Sequence, residues 1–464
     1  MPRACVLAEG WDVRSALGLH TEALARVLDG LGWEVGLALQ NPRGVPAAWR
    51  NRLARAEEPA ELTILQYPIW FPLAETLRAA SGAALFWYHG VTPPELWSSA
   101  ADRDVLTRSV AGTELAWHAH LAVCDSPFIA EELRRYTGYP AERVRVVPLG
   151  VDVARFATPP PDAELDQLRS RWRLTGRRVL LYVGRIAGNK RVDLLIDALA
   201  QVADRYHDLN LLVVGDTDSL PAYRVLTAQL QRQAADRGVA DRVTFAGRVE
   251  DVWPVYHLAD AFVTASQHEG FGVPLVEAMA AGVPVVAGAS AALTWVLGAA
   301  DDQPAAGLLF KPGDVDALAA CLTQVLDDAE LRRKLVERGR TRAQDFNLAN
   351  FAANTERVLA EAVQLSQAGP RPAPPVAHGP LYQQADVALR DYRVRSGLPI
   401  IGPLVAWLRR NSTTHVKEAY LDRIVEQQVL FNRQLVAEIE RLNARLARLE
   451  RDASAGPVDE EPPS

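Results

Sequence analysis

The sequence predicts an α/β protein with two doubly wound, Rossmann-like domains that face each other across a cleft. Short apolar runs alternate with helical segments, which is typical of parallel sheets buried on both faces. The alternation restarts after Pro159–Pro161, and 464 residues, 49% of them hydrophobic, suffice for about three domains. We expect domains over residues 1–165 and 166–367, a Pro/Ala/Gly linker over 368–380 and a helical extension over 381–464.

The first domain is predicted from six apolar runs of strand length. Helical segments such as Leu19–Gly32 and Ser126–Tyr136 separate these runs, giving the order of a parallel sheet. The predicted strands are Ala4–Gly10, Glu34–Gln40, Leu62–Pro68, Leu85–Gly90, His120–Ser126 and Val144–Gly150.

The second domain repeats this pattern. A helix is expected from about Arg191, and the helical stretch Leu348–Gln367 is expected to close the domain. The predicted strands are Arg178–Arg185, Leu209–Asp216, Arg242–Val249, Ala261–Ser266 and Val283–Gly288. Ligands in open α/β sheets bind beyond the carboxyl ends of the strands, and the candidate residues below follow such ends.

The composition argues against several classes of protein. With a net charge of −7 and no long basic run, nucleic acid is not expected as a partner. Cys5, Cys124 and Cys321 are far apart, which predicts neither a disulfide framework nor a metal cluster. The N-terminus has no apolar core of a signal peptide, so we expect a cytoplasmic protein. The uncharged stretch Ala281–Ala300 is long enough for a membrane span, but Pro284 and several glycines predict a strand, a turn and a short helix.

The segment Glu269–Glu277 carries the main candidate site. Its two terminal carboxylates flank a glycine-bearing turn and Pro274, which fits the first turn of a helix. Gly270 and Gly272 would let backbone amides approach a ligand, and a helix N-terminus attracts anions. The segment would thus offer a carboxylate for sugar hydroxyls, amides for a diphosphate and a second carboxylate for a ribose. The structural alternative is an acid favoured near a helix start by the dipole alone.

Two other predicted strands end in candidate residues. Gly184 and Arg185 end one of these strands, and Lys190 follows five residues after Arg185. Arginine offers a planar fork and lysine a point charge, so this pair would clamp a diphosphate; two solvated cations are the alternative. His89 follows another strand, where it would face the cleft or, alternatively, cap a turn.

Weaker candidates come from two glycine-bearing segments. Gly18 precedes a helix near the N-terminus, in a loop that would lie close to a ligand. Gly247, Arg248 and Val249 end a strand, where a nucleotide base would stack or bond to the backbone.

Together these segments resemble the retaining glycosyltransferases of family 4, which have the two-domain GT-B fold. The resemblance covers about residues 4–365, and the two acids with the trailing EAMAAGVPVVA are its most specific part. The matching segments are YHGVTPPEL, AVCDSPFIAEEL, VVPLGVD, GRIAGNK, LLVVGD, VTFAGRV, YHLADAFVTAS and HEGFGVPLVEAMAAGVPVVA, in the family's order and spacing.

The resemblance implies a role for each candidate. Glu277 would hold the ribose hydroxyls of the donor nucleotide, and Glu269 would contact the donor sugar. Arg185 and Lys190 would neutralise the departing diphosphate, and His89 would bond the sugar and stabilise positive charge at the anomeric centre. The other donor-binding residues would be Gly18, Gly184, Arg248, Val249, Phe271, Gly272 and Val273.

The implied activity is that of a retaining hexosyltransferase that needs no metal or other cofactor. Fixed cations and amides would stabilise the charge on the departing phosphate. The donor would be a nucleotide sugar, with GDP-mannose our first expectation and UDP-glucose or a UDP-hexosamine next. The acceptor would be a glycan or a lipid-linked sugar in cell-envelope polysaccharide synthesis. A sugar-nucleotide epimerase or hydrolase of the same fold and a non-catalytic nucleotide-binding scaffold are the alternatives.

One segment departs from the family pattern. After Val283–Ala287 the family often carries a Gly-x-x-Glu turn, whereas this chain has no acid before Asp301. We expect Thr294 or backbone groups to make any polar contact there, so that details of donor binding differ.

The extension carries a heptad pattern over residues 421–449. Two rows of mostly apolar residues predict a coiled coil about four heptads long, and Asn432 in its seam favours a homodimer. A helix packed on the protein's own body is the alternative. Upstream, the apolar stretch Gly397–Arg410 suits either peripheral contact with the inner face of a membrane or an ordinary buried helix. The acidic end, Asp452–Ser464, is expected to be disordered.

Overall fold

The structure, a computed structural model, describes residues 1–12, 15–97, 100–299 and 304–373. Residues Met1–Arg371 form one unit. The linker from residue 374, the helical extension, the coiled coil over 421–449 and the acidic end lie outside the described residues.

The first half of the chain forms a parallel six-stranded sheet. Its strands are β1 (Arg3–Gly10), β2 (Glu34–Asn41), β3 (Leu62–Tyr67), β4 (Ala83–Tyr88), β5 (Leu121–Cys124) and β6 (Val144–Val146). They lie in the order β2-β1-β3-β4-β5-β6, so the direction of winding reverses between β1 and β3. Each strand overlaps a predicted one.

The second half forms another parallel six-stranded sheet. Its strands are β7 (Arg178–Val183), β8 (Leu209–Val214), β9 (Val243–Gly247), β10 (Ala261–Thr264), β11 (Val285–Gly288) and β12 (Gly307–Phe310). The order β12-β11-β10-β7-β8-β9 is that of a Rossmann sheet, with its switch point between β7 and β10. The α/β class and the two doubly wound domains are therefore confirmed, whereas β12 was not predicted.

Helices cover both faces of each sheet. Those of the first half are α1 (Ala16–Gly30), α2 (Ala100–Ala111), α3 (Pro127–Thr137), α4 (Val153–Ala157) and α5 (Asp162–Arg171). Those that follow are α6 (Val192–Val202), α7 (Pro221–Asp236), α8 (Trp253–Tyr256), α9 (Val273–Ala281), α10 (Ala291–Val296), α11 (Val315–Asp327), α12 (Ala329–Ala343) and α13 (Leu348–Ala368). Short 3-10 turns, including Gly188–Lys190, connect several elements.

Local sequence explains where α3 begins and ends. Ser126 accepts a hydrogen bond from the amide of Ile129 and so caps the N-terminus, and Pro127 occupies the first helical position. Gly138 ends the helix at φ 68°, a left-handed conformation that glycine adopts without a steric penalty. The boundaries agree with the helical segment predicted there.

Each sheet separates two hydrophobic cores, because successive residues of a buried strand point to opposite faces. Leu149, Phe156 and Leu165 pack in a core of the second sheet. The connection after β6 therefore contributes residues before 166 to the core of the second domain.

Helix α13 lies on the first domain, not on the second, where the sequence analysis placed it as a closing helix. Its residues Phe351, Val358 and Leu359 pack in the same core as Trp87 of β4. The amide of Val151 donates to the carbonyl of Phe346 at 2.8 Å, so the two segments that cross between the domains run side by side. An amphipathic pattern shows that a helix buries one face, but not which core receives it.

The uncharged stretch Ala281–Ala300 contains β11 and α10, as predicted. Among the described ranges, no helix has both the length and the apolar character that crossing a membrane requires.

Candidate active site

The candidate residues follow neighbouring strands at the switch point of the second sheet. Arg185 and Lys190 follow β7, and Glu269 and the start of α9 follow β10, which pairs with β7. His89 follows β4 of the first domain. Crevices at switch points are where doubly wound sheets bind ligands, so the fold brings these separate segments to one place.

Lys190 and Glu269 form an ion pair at this point. Lys190 Nζ lies 2.6 Å from Glu269 Oε1, and the two side chains are only 11% and 22% exposed. Burial opposes ionisation of Glu269, but Lys190, Ser266 and Arg185 outweigh burial and hold the pKa of the carboxyl below its usual range. The site therefore contains a charged carboxylate and a cation in contact.

Buried polar groups fix the loop that carries Glu269. The backbone amide of Gln267 donates to the carbonyl of Asn189 at 2.8 Å. Asn189 Nδ2 donates to the carbonyl of His268 at 3.4 Å, and Ser266 Oγ donates to the same oxygen at 3.2 Å. The segments after β7 and β10 are thus tied together on both sides of the ion pair.

The turn into α9 presents unpaired amides beside this pair. Phe271 is buried, with its ring centroid 5.2 Å from that of Phe346. Gly272 has φ 112°, and a Cβ there would lie 2.6 Å from a methyl carbon of Leu293, so only glycine fits. The amides of Phe271, Gly272 and Val273 donate to no acceptor among the described residues. They are free to bind an anion at the helix N-terminus.

Glu277 lies one turn further along α9 and is 6% exposed. The hydroxyl of Tyr256 donates to Glu277 Oε2 at 2.5 Å. Burial raises the pKa of Glu277 to about 7, although the hydrogen bond from Tyr256 opposes this rise. The carboxyl is therefore oriented by Tyr256 and partly protonated near neutral pH.

Asp125 orients His89. His89 Nδ1 lies 2.8 Å from Asp125 Oδ2, and Trp87 Nε1 donates to the other carboxylate oxygen at 3.0 Å. Because a carboxylate accepts, we assign the ring proton to Nδ1. His89 Nε2 is buried and has no partner among the described residues, so it remains available to a ligand. Asp125 was missed by the sequence analysis, although it lies in the quoted segment AVCDSPFIAEEL.

His20 is a second histidine at the site that the sequence analysis missed. It is 3% exposed, and its ring centroid lies 4.9 Å from that of His89. Burial, together with His89, lowers the pKa of His20 well below its ordinary value, so the ring is neutral. Its place two residues after Gly18 was the available signal.

Two of the candidate glycines, Gly18 and Gly184, allow close packing. A Cβ on Gly18 would lie 1.9 Å from the carbonyl oxygen of Asp12, so this glycine lets the loop after β1 pack on α1. A Cβ on Gly184 would lie 2.8 Å from the hydroxyl of Tyr182. These contacts account for both glycines structurally, and their predicted donor contacts remain predictions.

The two candidate arginines differ in their surroundings. Arg185 is exposed, and its guanidinium has no hydrogen bond or ion pair within the part of the chain that the structure describes. Arg248 forms an ion pair with Asp12 of the first domain and lies 3.8 Å from Asp216. Val249 packs against the core of the second sheet that contains Leu149 and Phe156. Arg185 is therefore free for a ligand, whereas Arg248 spans the two domains.

The segment after β11, which departs from the family pattern, forms the short helix α10. The hydroxyl of Thr294 donates to the carbonyl of Ser290 at 3.0 Å within α10. Asp301 lies outside the described residues. Across the described ranges, no group of three or more histidine, cysteine, aspartate or glutamate side chains has an arrangement that would hold a metal ion.

Both halves of the chain match known protein families. Residues 166–342 match the family described as glycosyl transferases group 1, and residues 22–155 match Glycosyltransferase Family 4. Together the matched ranges contain the ends of β7 and β10 and most of the first sheet.

Curated relatives show the same likeness. The GDP-mannose-dependent alpha-(1-6)-phosphatidylinositol monomannoside mannosyltransferase of Mycolicibacterium smegmatis is 31% identical over 285 residues, 56% of this chain and 71% of the relative. The mannosylfructose-phosphate synthase of Agrobacterium fabrum is 34% identical over 169 residues, 36% of this chain and 37% of the relative. The chain spans about half or less of several such relatives, for example 37%, 51% and 50% of their length.

The fold also matches solved structures. The Anabaena protein HepE in complex with UDP-glucose matches with a TM-score of 0.64 at 18% identity, over 77% of this chain and 99% of that one. At this identity the likeness concerns the fold alone.

Proposed function

Because the chain belongs to the group 1 glycosyltransferases, with two doubly wound domains that form the GT-B fold, we propose that it transfers a hexose from a nucleotide sugar. The transfer would retain the configuration at the anomeric carbon. The acceptor would be a glycan or a lipid-linked sugar in cell-envelope polysaccharide synthesis, at the cytoplasmic face of the membrane.

The observation that supports this proposal most strongly is the Lys190–Glu269 ion pair beside the free amides of α9. A hexosyl donor needs acceptors for its hydroxyls and positive groups for its diphosphate. Glu269 supplies the first, and Lys190, Arg185 and the amides of α9 supply the second, beyond the same pair of strands.

The residues act at different points of the reaction. As the bond between the sugar and the phosphate breaks, negative charge grows on the phosphate and positive charge on the sugar. Lys190 and the α9 amides are held in place before the reaction begins and stabilise the phosphate, and Arg185, whose guanidinium is free, adds a second positive charge. His89 Nε2 faces the sugar from the other domain, held in place by Asp125. The acceptor then attacks from the face that the nucleotide leaves, which retains the configuration.

Glu277 binds the nucleotide half of the donor in this proposal. Its carboxylate accepts hydrogen bonds from the ribose hydroxyls, and Tyr256 orients it for this contact. Arg248 and Val249 frame the base. Arg248 must then give up part of its contact with Asp12 when the nucleotide enters.

GDP-mannose is the donor that we propose first. The Mycolicibacterium smegmatis relative, named as GDP-mannose-dependent, supports this choice. UDP-glucose or a UDP-hexosamine is next. The name of this relative does not identify the acceptor of the present chain.

The experiment that tests this function is a donor panel. Purified protein is incubated with GDP-, UDP- and dTDP-sugars, and release of the nucleotide is measured together with formation of a glycoside. We expect release from one donor, and loss of that release in Glu277→Ala and in the double variant Arg185→Ala/Lys190→Ala. Lys334→Ala is the matched control, because Lys334 is an exposed lysine that pairs with Glu330 on α12.

The outcomes separate the alternatives. A glycoside product would establish transfer, whereas release without any glycoside would favour a hydrolase and a changed nucleotide sugar would favour an epimerase. Nucleotide binding without turnover in the presence of glycan and lipid-linked acceptors would favour a scaffold. Failure to bind any nucleotide would overturn the proposal.

We also propose, from the heptad pattern alone, that residues 421–449 hold two copies of the chain together. A chain that ends at Arg371, the last residue of the first unit, tests this assignment. It should keep nucleotide release but behave as a monomer in light scattering. A dimer of the shortened chain would contradict the assignment.

A further inference from the structure

A buried chain of hydrogen bonds joins the two domains next to Glu269. The hydroxyl of Tyr88 donates to Glu132 Oε1 at 2.7 Å, and His268 Nε2 lies 3.0 Å from Glu132 Oε2. The side chains of Glu132 and His268 are 1% and 6% exposed. Tyr88 and Glu132 belong to the first domain, in β4 and α3, whereas His268 follows β10 of the second.

Backbone contacts join the domains at the next residue. Ser126 Oγ donates to the carbonyl oxygen of Gly270 at 2.7 Å. A Cβ on Gly270 would lie 2.1 Å from the carbonyl oxygen of His89, so the two backbones touch and any side chain would separate them. Glu269 therefore lies between two residues that the first domain holds, His268 by its side chain and Gly270 by its backbone.

The roles derived above leave Glu132 unused. A carboxylate this deeply buried needs partners for both oxygens, and Tyr88 and His268 supply them. His268 in turn transmits this contact to the loop, because its own carbonyl accepts from Asn189 and Ser266. Glu132 thus contacts the segment whose position sets where the Glu269 carboxylate lies.

We propose that Glu132 is a positioning residue of the transfer reaction, because through His268 it sets where the Glu269 carboxylate lies relative to His89. This inference rests on the proposed function. Glu269 and His89 come from different domains and must contact the same hexose at once. A displacement of about 1 Å between such groups lowers a rate by about 100-fold. The nucleotide half of the donor is held elsewhere, by Glu277 and Arg185.

The test uses the full chain and compares sugar-dependent with nucleotide-dependent readouts. For Glu132→Ala we expect kcat with GDP-mannose, or with the donor that the panel identifies, to fall by about 10- to 100-fold. The dissociation constant of the free nucleoside diphosphate should change by less than about twofold, because Glu277 and Arg185 remain in place. A merely structural role would weaken nucleotide binding and turnover together.

A conservative variant and a matched control sharpen the result. In Glu132→Gln the amide oxygen accepts from Tyr88 and the amide nitrogen donates to His268 Nε2, so we expect kcat within about fivefold of the wild type. The control is Glu131→Gln, on the same helix, where Glu131 is 69% exposed and pairs with Arg134. This control variant should change neither kcat nor the dissociation constant of the nucleoside diphosphate.

A variant on the other side of the contact keeps the test decisive if Glu132→Ala does not fold. His268→Ala breaks the same contact and leaves Glu132 bonded to Tyr88, so it should lower kcat to a similar extent. The proposal is wrong if His268→Ala keeps full kcat, or if nucleotide affinity falls in parallel with kcat. A wild-type protein that releases no nucleotide from any sugar donor would overturn the proposed function itself, and this inference with it.

Discussion

Glu277 is a buried carboxyl group whose charged form the surrounding protein disfavours. Burial raises its pKa to about 7, and Tyr256 is its only hydrogen-bond partner among the described residues. A titratable group with a shifted pKa inside a cleft is a common mark of a binding or catalytic site. Ligand hydroxyls that donate to this carboxylate would favour its ionised form, so donor binding should be coupled to the release of a proton.

We expect the affinity for the donor nucleotide to depend on pH near neutrality. Protonated Glu277 cannot accept two hydrogen bonds from a ribose, so the dissociation constant of the nucleoside diphosphate should rise as the pH falls from about 8 to about 6, through the pKa of about 7. Isothermal calorimetry across this range measures the effect. Glu277→Gln should bind weakly at every pH, and a wild-type profile as flat as that of Glu277→Gln would contradict the assignment.

The same group should make stability depend on pH in the opposite sense to most carboxylates. The folded pKa of about 7 exceeds the ordinary value of 4.5, so the folded protein binds more protons than the unfolded chain between these values. The free energy of unfolding therefore falls as the pH rises from about 4.5 to about 7. Glu277→Gln removes this loss, and at pH 8 it should be more stable than the wild type by up to about 3 kcal/mol. Urea denaturation at pH 5 and pH 8 checks this, since the advantage should shrink to less than about 1 kcal/mol at pH 5.

Lys190 should stabilise the fold as well as bind phosphate. Lys190→Met would leave Glu269 half-buried without its ion pair, and we expect the free energy of unfolding to fall by about 3 kcal/mol. The double variant Lys190→Met/Glu269→Gln should recover much of this loss, because no unpaired charge remains. Lys334→Met, which removes an exposed lysine, should change stability by less than about 0.5 kcal/mol. Equal losses in the single and double variants, measured by urea denaturation, would show that the two groups are not coupled.

For individual residues, the sequence indicated candidate side chains of the site but not the side chains that contact them. The sequence indicated Glu269, Lys190 and His89 as candidates because each lies in a short motif at the end of a predicted strand. Asp125 pairs with His89 from 36 residues away, and neither periodicity nor motif spacing specifies such a contact. Tertiary pairs of this kind become visible only once the strand order is known.

Among the elements, the start of α1 depends on one glycine. A Cβ on Gly18 would collide with backbone atoms of Asp12, which cannot move aside as a flexible side chain can. We expect Gly18→Ala to lower the free energy of unfolding by about 1–3 kcal/mol. Gly30→Ala, in the same helix, meets no atom within 4 Å and should raise it by up to about 1 kcal/mol. Thermal denaturation of both variants checks the comparison, and equal melting temperatures would contradict it.

Element types were easier to predict than element placement. The apolar runs predicted eleven strands but not β12, because Gly307–Phe310 contains no β-branched residue that would distinguish a strand from another short apolar run. The helix α13 was predicted with nearly correct ends but assigned to the wrong core. Its apolar stripe, which includes Phe351 and Val358, fits any buried surface, and only the path of the chain after Phe346 decides between the two.

Over the whole molecule, the two domains contact each other through exposed as well as buried residues. Arg248 and Asp12 form an exposed ion pair between the domains, with side chains 42% and 34% exposed. Because Arg248 is proposed to frame the base, this pair competes with the nucleotide. We expect Asp12→Asn to tighten binding of the nucleoside diphosphate by up to about fivefold, since exposed pairs contribute about 0.2–1 kcal/mol.

Fluorescence titration at low and high salt measures this competition. The gain from Asp12→Asn should shrink in about 0.5 M salt, because salt screens exposed charges in the wild type too. Asp29→Asn, which removes an exposed partner of Arg52 within the first domain, should leave binding unchanged. Tighter binding in both variants would indicate a general effect of net charge instead.

The side-by-side crossings near Val151 and Phe346 limit how the domains can move. A single connecting segment would let the domains rotate in any direction. Two adjacent segments that bond to each other restrict the rotation to one axis. Twisting would break the hydrogen bond between them, so we expect the domains to open by rotation about the line of the crossings, once the Glu132–His268 and Ser126–Gly270 hydrogen bonds have broken. One angle then describes the opening of the cleft, and a single pair of spectroscopic labels, one on each domain, would be enough to follow it.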